Sequence, residues 1–136
     1  MREITHIAVH CTATNQIATV DAIKRYWYNE LGWKSPGYHF IVEPDGKVVQ
    51  LAELSQVTNG VRGFNSSLIN VAYIGGIDAH GRPIDNRTPG QKKSLKNLLM
   101  HLKKQFPAAI IQGHCHFPNV RKDCPSFDAK TEYCLL

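Results

Sequence analysis

The sequence predicts a mixed α/β domain, with a central mixed β-sheet flanked by helices. Three observations predict it. Apolar strand-like runs are interleaved with segments of helical period, an Asp-Gly hairpin joins two of the strands, and no repeat, linker or low-complexity tract divides the 136 residues. A chain of this length builds one core, since domains commonly run about 100 to 150 residues. Residues 1–136 are therefore expected to form a single domain.

Ile4 to Cys11 reads as a buried strand whose β-branched and apolar residues run into the polar cluster Thr12-Ala13-Thr14-Asn15, which puts His10 at a strand end. Val20, Ile23, Trp27 and Leu31 recur at helical spacing and give an amphipathic helix stopped near Gly32. Tyr38 to Val42 and Lys47 to Leu51 flank Asp45-Gly46, a hairpin signal because both turn residues tolerate positive φ. Ala52 to Asn70 has no clear period and contains Asn59-Gly60 and Gly63. A long surface loop is expected there, the kind of segment that often carries binding function.

Asn70 to Ile74 is a second buried strand, and Gly75-Gly76 opens a polar turn through Asp78, Gly81 and Pro83. Three helix-start signals agree at Thr88-Pro89-Gly90-Gln91: a Thr cap, Pro at the first helical position and Gln three residues after the cap. Leu95, Leu98, Leu99, Leu102 and Phe106 form that helix's apolar stripe. Ala108 to Gln112 is a short strand delivering His114, and Ser126 to Cys134 is a final short helix.

Apolar residues make up 43% of the chain and charged residues 20%, as in an ordinary globular protein, which argues against disorder. The net charge of +5 favours anionic partners such as nucleic acid, an acidic membrane surface or an acidic cell-wall polymer, and equally fits a mildly basic solvated surface. Cys11, Cys115, Cys124 and Cys134 are even in number, yet nothing else resembles a disulfide scaffold, so reduced thiols are expected. The N-terminus has no apolar stretch long enough for a signal peptide, and no segment is suited to span a bilayer. The protein is expected to start in the cytoplasm; export by lysis or a dedicated machine leaves no such trace.

Chemistry concentrates in Gly113-His114-Cys115-His116 and Arg121-Lys122-Asp123-Cys124-Pro125. Neutral imidazole with thiolate suits zinc, whereas magnesium and calcium prefer oxygen ligands. A third ligand must come from elsewhere, and His10 is the best distant candidate. Plainer readings compete: His10 as a hydrogen-bonded structural histidine, Cys124 as a small buried hydrophobe, and His114 with His116 as a ligand pair of their own. Spacing does not decide between them. The lack of a Cys-x-x-Cys pair argues against a structural zinc finger.

Taken together, the chain resembles the zinc-dependent N-acetylmuramoyl-L-alanine amidases of the phage endolysin type, relatives of the peptidoglycan recognition proteins. The resemblance rests on Val9-His10-Cys11-Thr12-Ala13-Thr14, Gly37-Tyr38-His39-Phe40-Ile41-Val42, Gly63-Phe64-Asn65, Ile74-Gly75-Gly76-Ile77-Asp78, Thr88-Pro89 and Lys122-Asp123-Cys124-Pro125-Ser126-Phe127-Asp128. These blocks occur in the family's order along nearly the whole chain.

The resemblance implies one catalytic zinc on His10, His114 and Cys124, with a fourth position left open for water or substrate. It implies Tyr38 and Lys122 as catalytic residues, the ammonium facing the oxyanion and the phenol orienting water or passing a proton. The neighbouring Arg121 is the alternative cation, and Cys115 and His116 rank below His114 as ligands. By strand alternation His39 is structural or supports a ligand, and Cys11 is core.

The implied reaction is hydrolysis of the amide between N-acetylmuramic acid and L-alanine of peptidoglycan, in phage or prophage lysis. The implied protein is a monomer with no nucleic-acid partner. Two departures stand out: Gly60 occupies a place where many relatives carry histidine, leaving Asn59 or Arg62 to substitute, and the segment from His114 to Cys124 is slightly longer. The rival classes are a non-catalytic peptidoglycan-binding or regulatory module, against which Cys124 argues, and a nucleic-acid or polymerase-binding regulator prompted by the positive charge.

Overall fold

In a computed structural model, which describes residues 2–136, the first apolar run forms strand β1, His6–Cys11, buried from Ile7 onward. Burial on both faces is what a near-continuous apolar strand requires. Helix α1, Val20–Arg25, follows, then the hairpin strands β2, Phe40–Val42, and β3, Val48–Gln50. Strand β4, Leu68–Tyr73, is buried throughout. Helix α2, Pro89–Gln105, strand β5, Ile110–Gly113, and helix α3, Ala129–Glu132, complete the chain.

The sheet order is β3-β2-β4-β1-β5. Strands β2, β4, β1 and β5 run parallel and only β3 is antiparallel, so the sheet is mixed, as expected. In β1 and β4 the register sets His10 beside Ala72 and Ala8 beside Asn70. Leu95, Leu99 and Leu102 of α2 pack with Ile7, Val9, Ile69 and Val71 to form the main core.

The start of α2 follows the sequence in detail. Thr88 Oγ1 accepts from Gln91 N at 3.0 Å, Gln91 Oε1 accepts from Thr88 N at 3.0 Å, and Pro89 begins the helix. Elsewhere the structure differs. The predicted helix from Val20 to Leu31 changes at Tyr26 into a π-helical turn over Tyr26–Glu30, where Leu31 N donates to Tyr26 O. This wider turn accompanies burial of Trp27, which stacks on Trp33 and meets Tyr38 edge-on at 5.4 Å.

The Ala52 to Asn70 segment is also less superficial than expected. Thr58 and Val61 are fully buried, a 3-10 turn spans Asn65–Ser67, and β4 begins at Leu68. Asn65 draws the loop inward, because its Oδ1 accepts from both Gly60 N (3.0 Å) and Val61 N (2.7 Å). Backbone groups of a buried loop need such partners.

Arg87 ties α3 to the turn before α2. Its guanidinium donates to both Asp85 oxygens, both Glu132 oxygens and Tyr133 Oη, and lies 3.4 Å from the Phe127 ring centroid. Arg87→Met is expected to cost about 2–4 kcal/mol, since it strips charge-assisted bonds from groups that remain partly buried. Hydrogen bonding to Arg87 holds both the Asp85 and Glu132 carboxyls below their ordinary range. Their contribution is present at neutral pH and is lost as pH falls through the lowered values. The gap between wild type and Arg87→Met in urea unfolding should therefore shrink below about pH 4.

Candidate metal centre and cleft

Parallel pairing of β1 with β5 brings two distant histidines together at the C-terminal ends of neighbouring strands. His10 lies one residue from the end of β1, and His114 follows directly on β5. Cys124 reaches the same place from the loop before α3. The ligand atoms of His10, His114 and Cys124 all lie within 4.8 Å of one another. His10 Nδ1 is 3.8 Å from Cys124 Sγ, and the two imidazole rings meet edge to face at 4.9 Å. Bonds of about 2.0–2.3 Å to one tetrahedral ion put donor atoms roughly 3.3–3.6 Å apart, so a small contraction seats a metal.

The electrostatics suit a cation. Burial, followed by His114 and then Lys122, lowers His10 to about 3, and burial followed by Lys122 lowers His114 to about 4. Both rings are thus neutral at physiological pH, the form in which imidazole binds metal. The Cys124 thiol is pushed up by the Cys11 side chain and by burial. A bound divalent ion reverses that preference, because coordination deprotonates a thiol. Cys11 N already donates to Cys124 Sγ at 3.2 Å.

Beside these donors opens a cleft of about 900 Å³, walled in part by Tyr38, Lys122, Trp27, Trp33, Asn59 and Arg62. The Tyr38 hydroxyl donates to Cys11 O at 3.2 Å, and its ring lies 5.0 Å from His10. Burial, then charge on Cys124 and Cys11, holds that phenol well above its ordinary pKa. Lys122 lines the cleft and Arg121 does not. Cys115 and His116 face a smaller neighbouring cavity with Asp128. His116 Nδ1 accepts from Gly113 N at 3.2 Å, and its Nε2 lies 3.5 Å from Asp128. Cys11 is buried in the core, as expected.

Asn70 is the site neighbour that sequence reasoning missed. It was expected only to begin a strand, yet its Oδ1 accepts from His10 Nε2 at 2.9 Å. The available signal was an amide amid Leu68-Ile69-Asn70-Val71-Ala72-Tyr73, since a buried polar group needs partners. Asn70 also fills the space beside Gly60, where any Cβ would collide with its side-chain amide.

A family model described as N-acetylmuramoyl-L-alanine amidase matches residues 1–127. The endolysin of Klebsiella phage KP32 is 41% identical over 130 residues, covering 95% of this chain and 85% of that protein. The endolysin of Escherichia phage T7 is 38% identical over 125 residues, covering 91% of this chain and 82% of that one. Among solved structures, the Ph2119 endolysin from the Thermus scotoductus MAT2119 bacteriophage superposes with a TM-score of 0.80 at 26% identity, over 92% of this chain and 79% of its own. Drosophila PGRP-LB shares the fold, with a TM-score of 0.77 at 17% identity over 97% of this chain and 80% of its own.

Proposed function

The chain belongs to the N-acetylmuramoyl-L-alanine amidase family and hydrolyses peptidoglycan at the muramoyl-alanine amide, and we propose that it does so with one zinc ion on His10, His114 and Cys124. Support comes above all from the convergence of two neutral imidazoles and one thiol at the side of a cleft that also carries Tyr38 and Lys122. A donor set of two nitrogens and a sulfur fits zinc, and three protein ligands leave one position open. When bound there, zinc supplies Lewis acidity toward the scissile carbonyl and lowers the pKa of a water to about 7.

The protein's own groups do the rest. The stem peptide lies in the cleft against Trp27 and Trp33, which shield the reacting amide from bulk water. Tyr38 has its proton engaged by Cys11 O, which leaves its oxygen lone pairs to accept a hydrogen bond from the attacking water and orient it. As water adds to the carbonyl carbon, negative charge grows on the carbonyl oxygen, and the Lys122 ammonium stabilises it. The tetrahedral centre then collapses: the C–N bond breaks, the proton given up by the attacking water passes to the alanine nitrogen, and the free amine departs from the new lactyl carboxylate. Tyr38→Phe should lower kcat on peptidoglycan by about 10²-fold with zinc content unchanged, as metal analysis beside a turnover assay would show.

The biological setting that fits is phage or prophage lysis, with synthesis in the cytoplasm and action on the wall after release; the proteins of phages KP32 and T7 that this chain resembles are endolysins. Among the described residues, no helix is long and apolar enough to cross a membrane. X-ray absorption at the zinc edge of the loaded protein tests the ligand set. Two nitrogen ligands and one sulfur ligand from the protein are expected, and a shell without sulfur would overturn it.

A further inference from the structure

The interior of this domain holds a hydrogen-bonded chain that runs away from His10 and has one permitted direction. His10, Asn70, Thr58 and His39 are all essentially inaccessible to solvent. The far end of the chain is fixed by main-chain groups whose donor and acceptor roles cannot switch. Asn70 N donates to His39 Nδ1 at 3.0 Å, so that nitrogen is an acceptor. Gln56 O lies 2.8 Å from His39 Nε2, so that nitrogen carries the proton. The longer approach of Arg2 Nη2 to His39 Nε2, at 3.3 Å, does not displace this stronger bond.

From His39 the direction propagates. With Nδ1 unprotonated, Thr58 Oγ1 shares that nitrogen's lone pair with Asn70 N as a second, weaker donor at 3.2 Å and keeps its own lone pairs for Asn70 Nδ2, which donates at 2.8 Å. The amide of Asn70 is thereby oriented with Oδ1 toward His10, where it accepts from Nε2 at 2.9 Å. The flipped amide would take the hydroxyl proton from Thr58 and leave two lone pairs facing each other between Thr58 Oγ1 and His39 Nδ1. It would also present an N–H to His10 Nε2, forcing the ring proton onto Nδ1, the nitrogen that faces Cys124.

We propose that Asn70 is a positioning residue for the metal centre, fixing His10 as the Nε2–H tautomer so that its Nδ1 lone pair faces Cys124 and His114, and that glycine at position 60 is what admits the amide. The inference rests on the zinc reading above. An amide in this place supplies what carboxylates or carbonyls commonly supply to metal-bound histidines: a fixed ring and a fixed tautomer. Gly60 is the complementary half of the device, because a side chain there would drive Asn70 out of its position.

The test uses the whole 136-residue chain in two measurements. Nitrogen-15 NMR of the metal-free wild type should show His10 protonated at Nε2; protonation at Nδ1 overturns the proposal without recourse to any variant. Zinc affinity, read by competition with a chromogenic chelator, should weaken about 10- to 100-fold in Asn70→Leu and be recovered in part in Asn70→Asp, which keeps the acceptor toward His10 and gives up the donor to Thr58. Gly60→Ala should reproduce the loss while leaving the Asn70 side chain chemically intact, and serves where Asn70→Leu does not fold. Unchanged zinc affinity in folded Asn70→Leu or Gly60→Ala overturns the proposal. A wild type whose zinc binding is unaffected by His10→Ala refutes the zinc reading instead, and the tautomer of the metal-free protein still decides the role of Asn70.

Discussion

Cys124→Ser is expected to reduce peptidoglycan hydrolysis by on the order of 10³-fold or more and to release the metal. Serine stays protonated at neutral pH and is a poor ligand for a borderline-soft ion, whereas a thiolate is a strong one. Cys124 is also the only sulfur in the converging donor set, so no neighbouring atom of that set replaces it. Cys115 faces the adjoining cavity and does not belong to that set. The fold itself should survive, because serine is close to cysteine in size and Cys124 is only partly buried. The separating measurement is thermal unfolding with and without zinc. At a metal concentration of about 100 times the dissociation constant, the wild type should gain roughly 2.7 kcal/mol and the variant almost nothing. A variant that keeps both zinc-dependent stabilisation and activity would remove Cys124 from the ligand set.

Lys122→Met is expected to lower kcat by about 10²- to 10³-fold while leaving zinc content unchanged, the loss that follows removal of one oxyanion partner. Lys122 is exposed at the cleft wall, so unfolding stability should move by no more than about 0.5 kcal/mol. The neighbouring cation supplies the control. Arg121 does not line the cleft, and Arg121→Met should leave kcat within a few-fold of wild type. Steady-state kinetics on purified peptidoglycan compares the two variants directly, and a larger defect in Arg121→Met would exchange their roles.

Much of the fold was legible because its strongest elements are local. The apolar runs around Val9 and Val71, the Asp45-Gly46 turn and the Thr88-Pro89-Gln91 helix start each carry their instructions within a few residues. The π-helical turn at Tyr26–Glu30 was not legible, since Trp27 and Leu31 four residues apart fit an ordinary helical face equally well. The inward packing of the Thr58 to Val61 loop was not legible, because the bonds from Gly60 N and Val61 N to Asn65 Oδ1 depend on how the loop folds back and leave no local period in the sequence.

The candidate site divides in the same way. Residue chemistry alone left His116 and Cys115 in competition with His114 and Cys124, since spacing along one segment does not say which side chains face a distant strand. Pairing of β1 with β5 brings His10 and His114 to the same end of the sheet, with His116 turned toward Asp128 instead. Asn70 lies sixty residues from His10 in the chain, and its contact exists only because β1 and β4 are neighbours and position 60 has no side chain.

The most direct test of zinc-dependent amide hydrolysis is mass spectrometry of peptidoglycan digested by the protein, compared between zinc-loaded and chelator-stripped samples. The loaded protein should release free stem peptides that begin with an unblocked L-alanine amine and leave the glycan strands uncut, with release lost on stripping and restored by zinc. Cut glycan strands, or stem-peptide release that persists without metal, would contradict the account.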